Sequence, residues 1–341
     1  MLYFSNDYSQ GAHPEILKRL IETNMVSADG YGEDIFCVRA KEKIREAISN
    51  PDAEIFFLVG GTQTNMVVIN SMLQKHQGVI SADSGHIAIH EAGAIEFTGN
   101  KVLPIRHVDG KITSNDLKDY LETFYSDENH SHMVYPGMVY ISFPTEYGTI
   151  YYKEELFSLH NVCKKYRIPL YIDGARLGYG IMAQDSDMTL KDIADNCDVF
   201  YIGATKVGAL CGEAVVFTKN NVPVCFTTLI KKHGALLSKG RLLGVQFEAL
   251  FTADLYLKIS KKAIEMAEGL RKGLKEKGYR FFIENKTNQI FIIIDNEKLK
   301  KLQEKAVVSF WEKYDENHTV IRLATCWATE KEDVSKLLEI M

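Results

Sequence analysis

An aspartate closing one apolar run and a lysine closing the next are the residues on which chemistry can be built. The first run ends Tyr171-Ile172-Asp173-Gly174-Ala175-Arg176 and the second Tyr201-Ile202-Gly203-Ala204-Thr205-Lys206-Val207-Gly208. A lysine is ordinarily solvated, but one set among Gly203, Ala204, Val207 and Gly208 loses water and gives up its proton more readily, as a nucleophilic amine requires. The two lie about one strand–helix–strand step apart, so both side chains can converge at the carboxyl edge of one parallel sheet. Upstream, Gly60-Gly61-Thr62-Gln63-Thr64-Asn65 follows a buried run and opens a helix. Unpaired N–H groups and the positive dipole end favour a phosphate there, although the same residues also make an ordinary strand-to-helix turn with an N-cap. Together the three features are what pyridoxal phosphate needs. The lysine condenses with its aldehyde, the aspartate keeps its pyridine nitrogen protonated, and the helix start holds its phosphate. An opposite charge of this kind shifts a pKa by about 1–3 units, enough to hold a pyridinium at neutral pH.

The elements that must position these groups are legible as alternating patterns. Short apolar, β-rich runs occur at 54–60, 79–82, 138–143, 169–173, 198–203 and 213–218, and helical spacing between them covers 62–74, 86–98 and 153–167. Continuous rather than alternating apolarity, as in Ile55-Phe56-Phe57-Leu58-Val59, suits strands covered on both faces. From 242 a long amphipathic stretch runs to 277, where Gly278 stands as a helix stop, followed by strand patterns at 280–283, 289–295, 306–311 and 319–325 and a closing helix from 330. The expected fold is α/β. Residues 1–241 form a large domain with an N-terminal arm and a mostly parallel sheet of the seven-stranded type sandwiched by helices, and residues 242–341 form a connecting helix and a small C-terminal α+β domain.

Composition narrows the partners. The 341 residues are 46% apolar and 25% charged, with 40 Lys plus Arg against 45 Asp plus Glu, a net charge of −5 that fits neither disorder nor coiled coil. A pI near 6.1 lacks the basic footprint for nucleic acid or an anionic membrane. No basic, apolar leader and no stretch approaching 18 apolar residues is present, so a cytoplasmic location is expected. Six cysteines without Cys-x-x-Cys, and Ala94 where a second histidine would be needed after His90-Glu91, give no metal site. Asn-x-Ser/Thr triplets at Asn129, Asn285 and Asn317 matter only in a secreted protein. Gly-x-Gly-x-x-Gly, a phosphate loop and a Gly-x-Ser-x-Gly elbow are all missing, which disfavours a nucleotide-dependent dehydrogenase.

Seven motifs, in order along nearly the whole chain, are similar to those of the threonine aldolase family of pyridoxal-phosphate lyases, within the aspartate-aminotransferase-like fold class. They are Ser5-Asn6-Asp7, Gly30-Tyr31-Gly32-Glu33-Asp34, Gly61-Thr62-Gln63-Thr64-Asn65, His86 with Glu91-Ala92-Gly93-Ala94, Asp173-Gly174-Ala175-Arg176, Thr205-Lys206 and Ile321-Arg322-Leu323. The resemblance implies Lys206 as the Schiff-base lysine with Thr205 before it, Asp173 as the pyridinium partner, Arg176 near the phenolic oxygen, and Gly61 and Thr62 on the phosphate. It implies His86 stacked on the cofactor ring, Arg322 clamping the substrate carboxylate with Asn6 or Ser5 beside it, and Tyr31 in a segment that reaches a neighbouring subunit's site. A homodimer or homotetramer follows. In many members a histidine in the loop after a large-domain strand meets the substrate hydroxyl; here Glu146 of Phe143-Pro144-Thr145-Glu146-Tyr147-Gly148 stands in that place. The expected reaction is a carbon–carbon lyase cleavage of L-threonine or L-allo-threonine to glycine and an aldehyde, with Glu146, His86 or a held water as base. A β-eliminating lyase or aminotransferase would use the same Lys206 and Asp173 and release a keto acid; a binding module would have lost the lysine.

Overall fold

The computed structural model describes residues 1–341. Seven strands, β1 (Glu54–Leu58), β2 (Gln77–Ala82), β3 (Lys101–Ile105), β4 (Tyr135–Ser142), β5 (Leu170–Asp173), β6 (Val199–Gly203) and β7 (Glu213–Phe217), form one sheet in the order β1-β7-β6-β5-β4-β2-β3. Only β7 runs against its neighbours. The expected mostly parallel, seven-stranded sheet is therefore present. Its apolar runs are continuous because both faces are covered. Ile141, Ile172, Phe200 and Val216 face one core of 46 residues, while Tyr140, Tyr171, Tyr201 and Val215 face another of 19. The edge strand β3 escaped the sequence reading because Pro104 interrupts a run only five residues long, a residue that an edge tolerates.

Two expected helices are broken. The pattern over 86–98 becomes His86–Ile89 and Ala94–Phe97, parted by a turn in which Ala92 and Gly93 take φ of 52° and 72°. That turn swings the Glu91 side chain inward, where it is buried. The stretch over 242–277 becomes Arg241–Leu250 and Leu255–Glu276, interrupted where Ala253 and Asp254 both adopt positive φ, 51° and 57°. The first of these packs against Ile35–Ala47. The second spans the molecule: Tyr256, Ile259 and Ala263 join the main core, and Met266, Leu270 and Leu274 join a third core beneath the C-terminal sheet.

That smaller sheet comprises β8 (Arg280–Phe281), β9 (Gln289–Asp295), β10 (Ser309–Lys313) and β11 (His318–Ala324), antiparallel throughout in the order β10-β11-β9-β8. The helix Lys331–Ile340 covers it through Val334 and Leu337. The expected strand over 306–311 divides, and its first part, Ala306–Val307, pairs in parallel with Leu2–Tyr3. The N-terminal segment thus runs along the C-terminal unit before turning toward the main sheet. No helix is long and apolar enough to cross a membrane.

Candidate active site

Because β7 is reversed, its first residue lies at the same sheet edge as the last residues of β5 and β6, and Asp173, Lys206 and Glu213 line one cavity of about 150 Å³ there. Asp173 ends β5 and is buried. Its Oδ2 accepts hydrogen bonds from Tyr140 Oη at 2.6 Å and Asn65 Nδ2 at 3.0 Å, and its Oδ1 from Tyr201 Oη at 2.5 Å and the Ala175 N–H at 2.9 Å. Burial alone would raise this carboxyl's pKa, but the His86 charge and the bonds from Tyr140, Tyr201 and Asn65 outweigh it and hold Asp173 below its ordinary range. Asn65 also donates to Glu91 Oε1 at 2.7 Å and accepts from Tyr171 Oη at 2.7 Å. Glu91 Oε1 in turn meets His86 Nδ1 at 2.8 Å, so a buried chain of polar groups joins His86 to Asp173.

Lys206 follows β6 in a tight turn whose carbonyl accepts from Tyr179 Oη at 2.7 Å. Burial and the nearby Arg176 bring its amine down to about 8, against the opposing pull of Asp7, Asp173 and Glu213. Thr205 Oγ1 donates to Glu213 Oε1 at 2.8 Å and accepts the Gly212 N–H at 3.1 Å. Opposite stands the start of the helix Gly61–Met72. Its N-cap, Gly60, carries no side-chain cap, and the first intrahelical bond runs from the Thr64 N–H to the Gly60 carbonyl, which leaves the N–H groups of Gly61, Thr62 and Gln63 ahead of it. Gly60 and Gly61 line the cavity; the Thr62 side chain is exposed, so this position offers its backbone N–H.

The inner cavity opens into an outer one of about 520 Å³, with His86, Glu146, Arg176 and Lys206 lining both. Arg176 is gripped by buried Asp7, through Nε at 2.6 Å and Nη2 at 3.1 Å, and Asp7 also accepts from Asn288 Nδ2 at 2.9 Å. Arg322, on β11, lines the outer cavity; its Nη1 donates to Gln289 Oε1 at 3.1 Å and its Nη2 to the Ser5 carbonyl at 3.0 Å, while Nε is buried without a partner. Ser5 thus reaches the site through its backbone, and the Asn6 side chain is turned back to accept from the Tyr8 N–H and Ser9 Oγ. Glu146 Oε1 accepts from the His86 N–H at 2.9 Å and Ser142 Oγ at 2.6 Å. Burial, aided by the charge of Asp173, raises the Glu146 pKa despite the hydrogen bond from Ser142 and the attraction of His86.

Tyr31 stands apart, half exposed, in a separate cleft with Phe56 and Leu243, with the Lys231 ammonium 4.7 Å from its ring centroid. Within one chain it is not brought to Lys206. Asp7, Asn65 and Glu91 belong to the compared motifs without having suggested a role, and Tyr140, Tyr201 and Glu213 went unread. One signal was available: Glu213 heads the wholly apolar Ala214-Val215-Val216-Phe217, a costly place for a carboxylate.

A family model described as beta-eliminating lyase matches residues 5–297. The chain is 27% identical over 345 residues to a low specificity L-threonine aldolase of a Pseudomonas species, covering 98% of this chain and 95% of that protein. A solved threonine aldolase of Leishmania major superposes with a TM-score of 0.96 at 39% identity, over 100% of this chain and 98% of that one. An aspartate aminotransferase of Thermus thermophilus, 13% identical, superposes with a TM-score of 0.73 over 100% of this chain and 90% of its own, a likeness of fold.

Proposed function

The chain belongs to the beta-eliminating lyase family, and within it to the threonine aldolases, and is a lyase; on that premise we propose that it binds pyridoxal 5'-phosphate and cleaves a β-hydroxy-α-amino acid of the threonine type to glycine and an aldehyde. The observation that carries this reading is the convergence of the Lys206 amine, the Asp173 carboxylate and the open start of the Gly61–Met72 helix on one cavity.

The donor set fits the cofactor. The N–H groups of Gly61 and Thr62 would hold its phosphate, and Thr205 lines the same cavity as Gly61. Asp173, kept ionised by its four donors, holds a proton on a ring nitrogen. Lys206 would supply the amine of attachment, and Arg176, fixed by Asp7, would be the cation for the phenolic oxygen. His86, fixed through Nδ1 by Glu91, offers its ring face. When bound, pyridoxal phosphate supplies a conjugated ring that takes up the electron pair released at Cα.

Around that centre the chain's own residues orient and deprotonate the substrate. Arg322, with its guanidinium already braced by Gln289 and the Ser5 carbonyl, clamps the carboxylate, with Asn6 nearby in sequence. Fixing that carboxylate would fix the orientation of the bonds at Cα and so which of them breaks. Glu146 takes the hydroxyl proton: a carboxyl whose pKa is raised by burial is a stronger base than an exposed one. Tyr31, on a separate surface, completes the site of a neighbouring copy in a homodimer or homotetramer.

The family description favours one second reading, β-elimination, which would use Lys206 and Asp173 and release a keto acid. Threonine and serine offered to the cofactor-loaded protein separate the two: acetaldehyde and glycine from threonine are expected, with a visible absorbance band that Lys206→Ala removes along with turnover. Keto acid without aldehyde, or turnover that survives Lys206→Ala, overturns the aldolase reading.

A further inference from the structure

Three carboxylates act on Lys206, and they are not alike. Asp173 takes four hydrogen bonds and Asp7 takes three, two of them from the Arg176 guanidinium, so both are committed as anions. Thr205 is the only side chain that donates to Glu213, through Oε1, and the Glu213 Oε2 is buried without a hydrogen-bond partner. A buried oxygen with spare capacity, on a residue that lines the same cavity as Lys206, is a place to put a proton.

We propose that Glu213 is the proton-holding partner of Lys206, its free Oε2 taking the proton that the amine must release before attacking a carbonyl carbon and returning it when the amine is displaced. This rests on the reading of Lys206 as the nucleophilic amine. The two side chains line one cavity without an ion pair between them, so the Lys206 amine swings to Oε2 before an Nζ–H bond breaks and an Oε2–H bond forms; an ammonium and a carboxylate become an amine and a carboxylic acid, and no other reagent is needed. In a site poor in water the charged and neutral forms of such a pair lie close in energy, because separated ions lose solvation there.

The surroundings favour a shared proton. Burial is the main influence on Glu213 and, with Asp173, raises it against the lowering by Thr205, Lys206 and the Ala204 backbone. Burial and Arg176 pull Lys206 down while burial pushes Glu213 up, so the two approach one another from opposite sides, the condition under which transfer is easiest in either direction. The other groups facing the pair do not compete. Arg176 is paired with Asp7, and Tyr171, Tyr201, Tyr256 and Cys211 are all pushed above their ordinary ranges by burial and stay neutral.

Glu213→Gln keeps an acceptor for Thr205 and the same shape, but removes the charge that steadies the ammonium. The test is the pH dependence of Lys206 modification in the full chain freed of cofactor, by reductive methylation read at that residue by peptide mass spectrometry. The midpoint is expected to fall by about 1 pH unit, the lower end of what a neighbouring opposite charge contributes. Thr205→Val, which keeps the acid but deprives it of its only side-chain hydrogen bond, makes Glu213 harder to ionise and should lower the midpoint less; it serves if the first variant does not fold. A purely structural role predicts no shift in Glu213→Gln, and an unchanged or raised midpoint overturns the proposal. Failure of the cofactor reading shows separately, as wild-type protein that gains no visible band with pyridoxal phosphate.

Discussion

Asp7 lets three cations coexist at the edge of one cavity. Its charge favours the protonated forms of Lys206, Arg176 and Arg322, and without it Arg176 would press on both neighbours. Burial resists the ionisation of Asp7, but Arg176, Lys206 and the bond from Asn288 prevail and bring it down to about 2 from 3.8. The sign follows. A carboxyl depressed in the folded state stabilises the fold above pH 3.8, and that contribution fades as pH falls toward 2. Asp7→Asn should therefore cost about 3 kcal/mol at neutral pH by leaving Arg176 buried and unpaired, with the wild-type and variant stabilities drawing together as pH approaches 2, measured by urea unfolding. Lys206 carries a second residue-scale prediction. Only the free amine attacks an aldehyde, so the rate of pyridoxal phosphate uptake should climb roughly tenfold per pH unit below 8 and level off above it, followed by the visible band. Lys206 and Asp173 were legible because a charged residue ending an apolar run is costly wherever it is placed. Asp7 was not, because its pairing with Arg176 joins residues 169 positions apart and spacing carries no trace of such contacts.

At the scale of elements, the edge that assembles the site depends on backbones approaching more closely than a side chain allows. Gly174 follows β5 where it crosses the end of β6, and a Cβ added there would lie 1.9 Å from the Tyr201 carbonyl oxygen. Backbone has nowhere to yield in a sheet paired on both sides, so Gly174→Ala should force β5 and β6 apart. We expect a loss of about 3 kcal/mol in thermal or denaturant unfolding, with loss of cofactor binding, because Asp173 and Tyr201 move together. A stable variant that still binds pyridoxal phosphate would show that the edge is more pliant than this packing implies. Gly174 stood in plain view in the sequence, and its necessity did not, since nothing local demands glycine there. The split of 86–98 was hidden similarly. Its apolar spacing is helical, but burying Glu91 against Asn65 and His86 requires a turn at Ala92 and Gly93, and tertiary contact overrides periodicity.

The whole molecule divides the labour of the site between its two sheets. Asp173, Lys206 and the helix start belong to the main sheet and owe their positions to its strands. Glu146 is held from both sides: its carboxylate accepts from Ser142 at the end of β4 and from the His86 N–H, while its loop is held from the C-terminal unit, where Asn285 Nδ2 donates to the Tyr147 carbonyl and Thr287 Oγ1 to the Gly148 carbonyl, each at 2.8 Å. Tyr147 is packed against Phe282, Phe291 and Trp311 of that unit as well. Arg322, on β11, arrives from the same side. Each unit was legible in the sequence as a run of alternating elements, whereas this grip arises only when the two are docked. It predicts that cofactor and substrate functions separate. Removing both hydrogen bonds with Asn285→Ala and Thr287→Ala frees the Glu146 loop and leaves Asp173 and Lys206 untouched. The visible band and its binding constant should be retained while kcat/KM for threonine cleavage falls about 10- to 100-fold, the scale of a displacement near 1 Å in a reacting group. Equal loss of band and rate would mean that the contact supports the whole fold, and an unchanged rate would mean that the large domain alone positions Glu146.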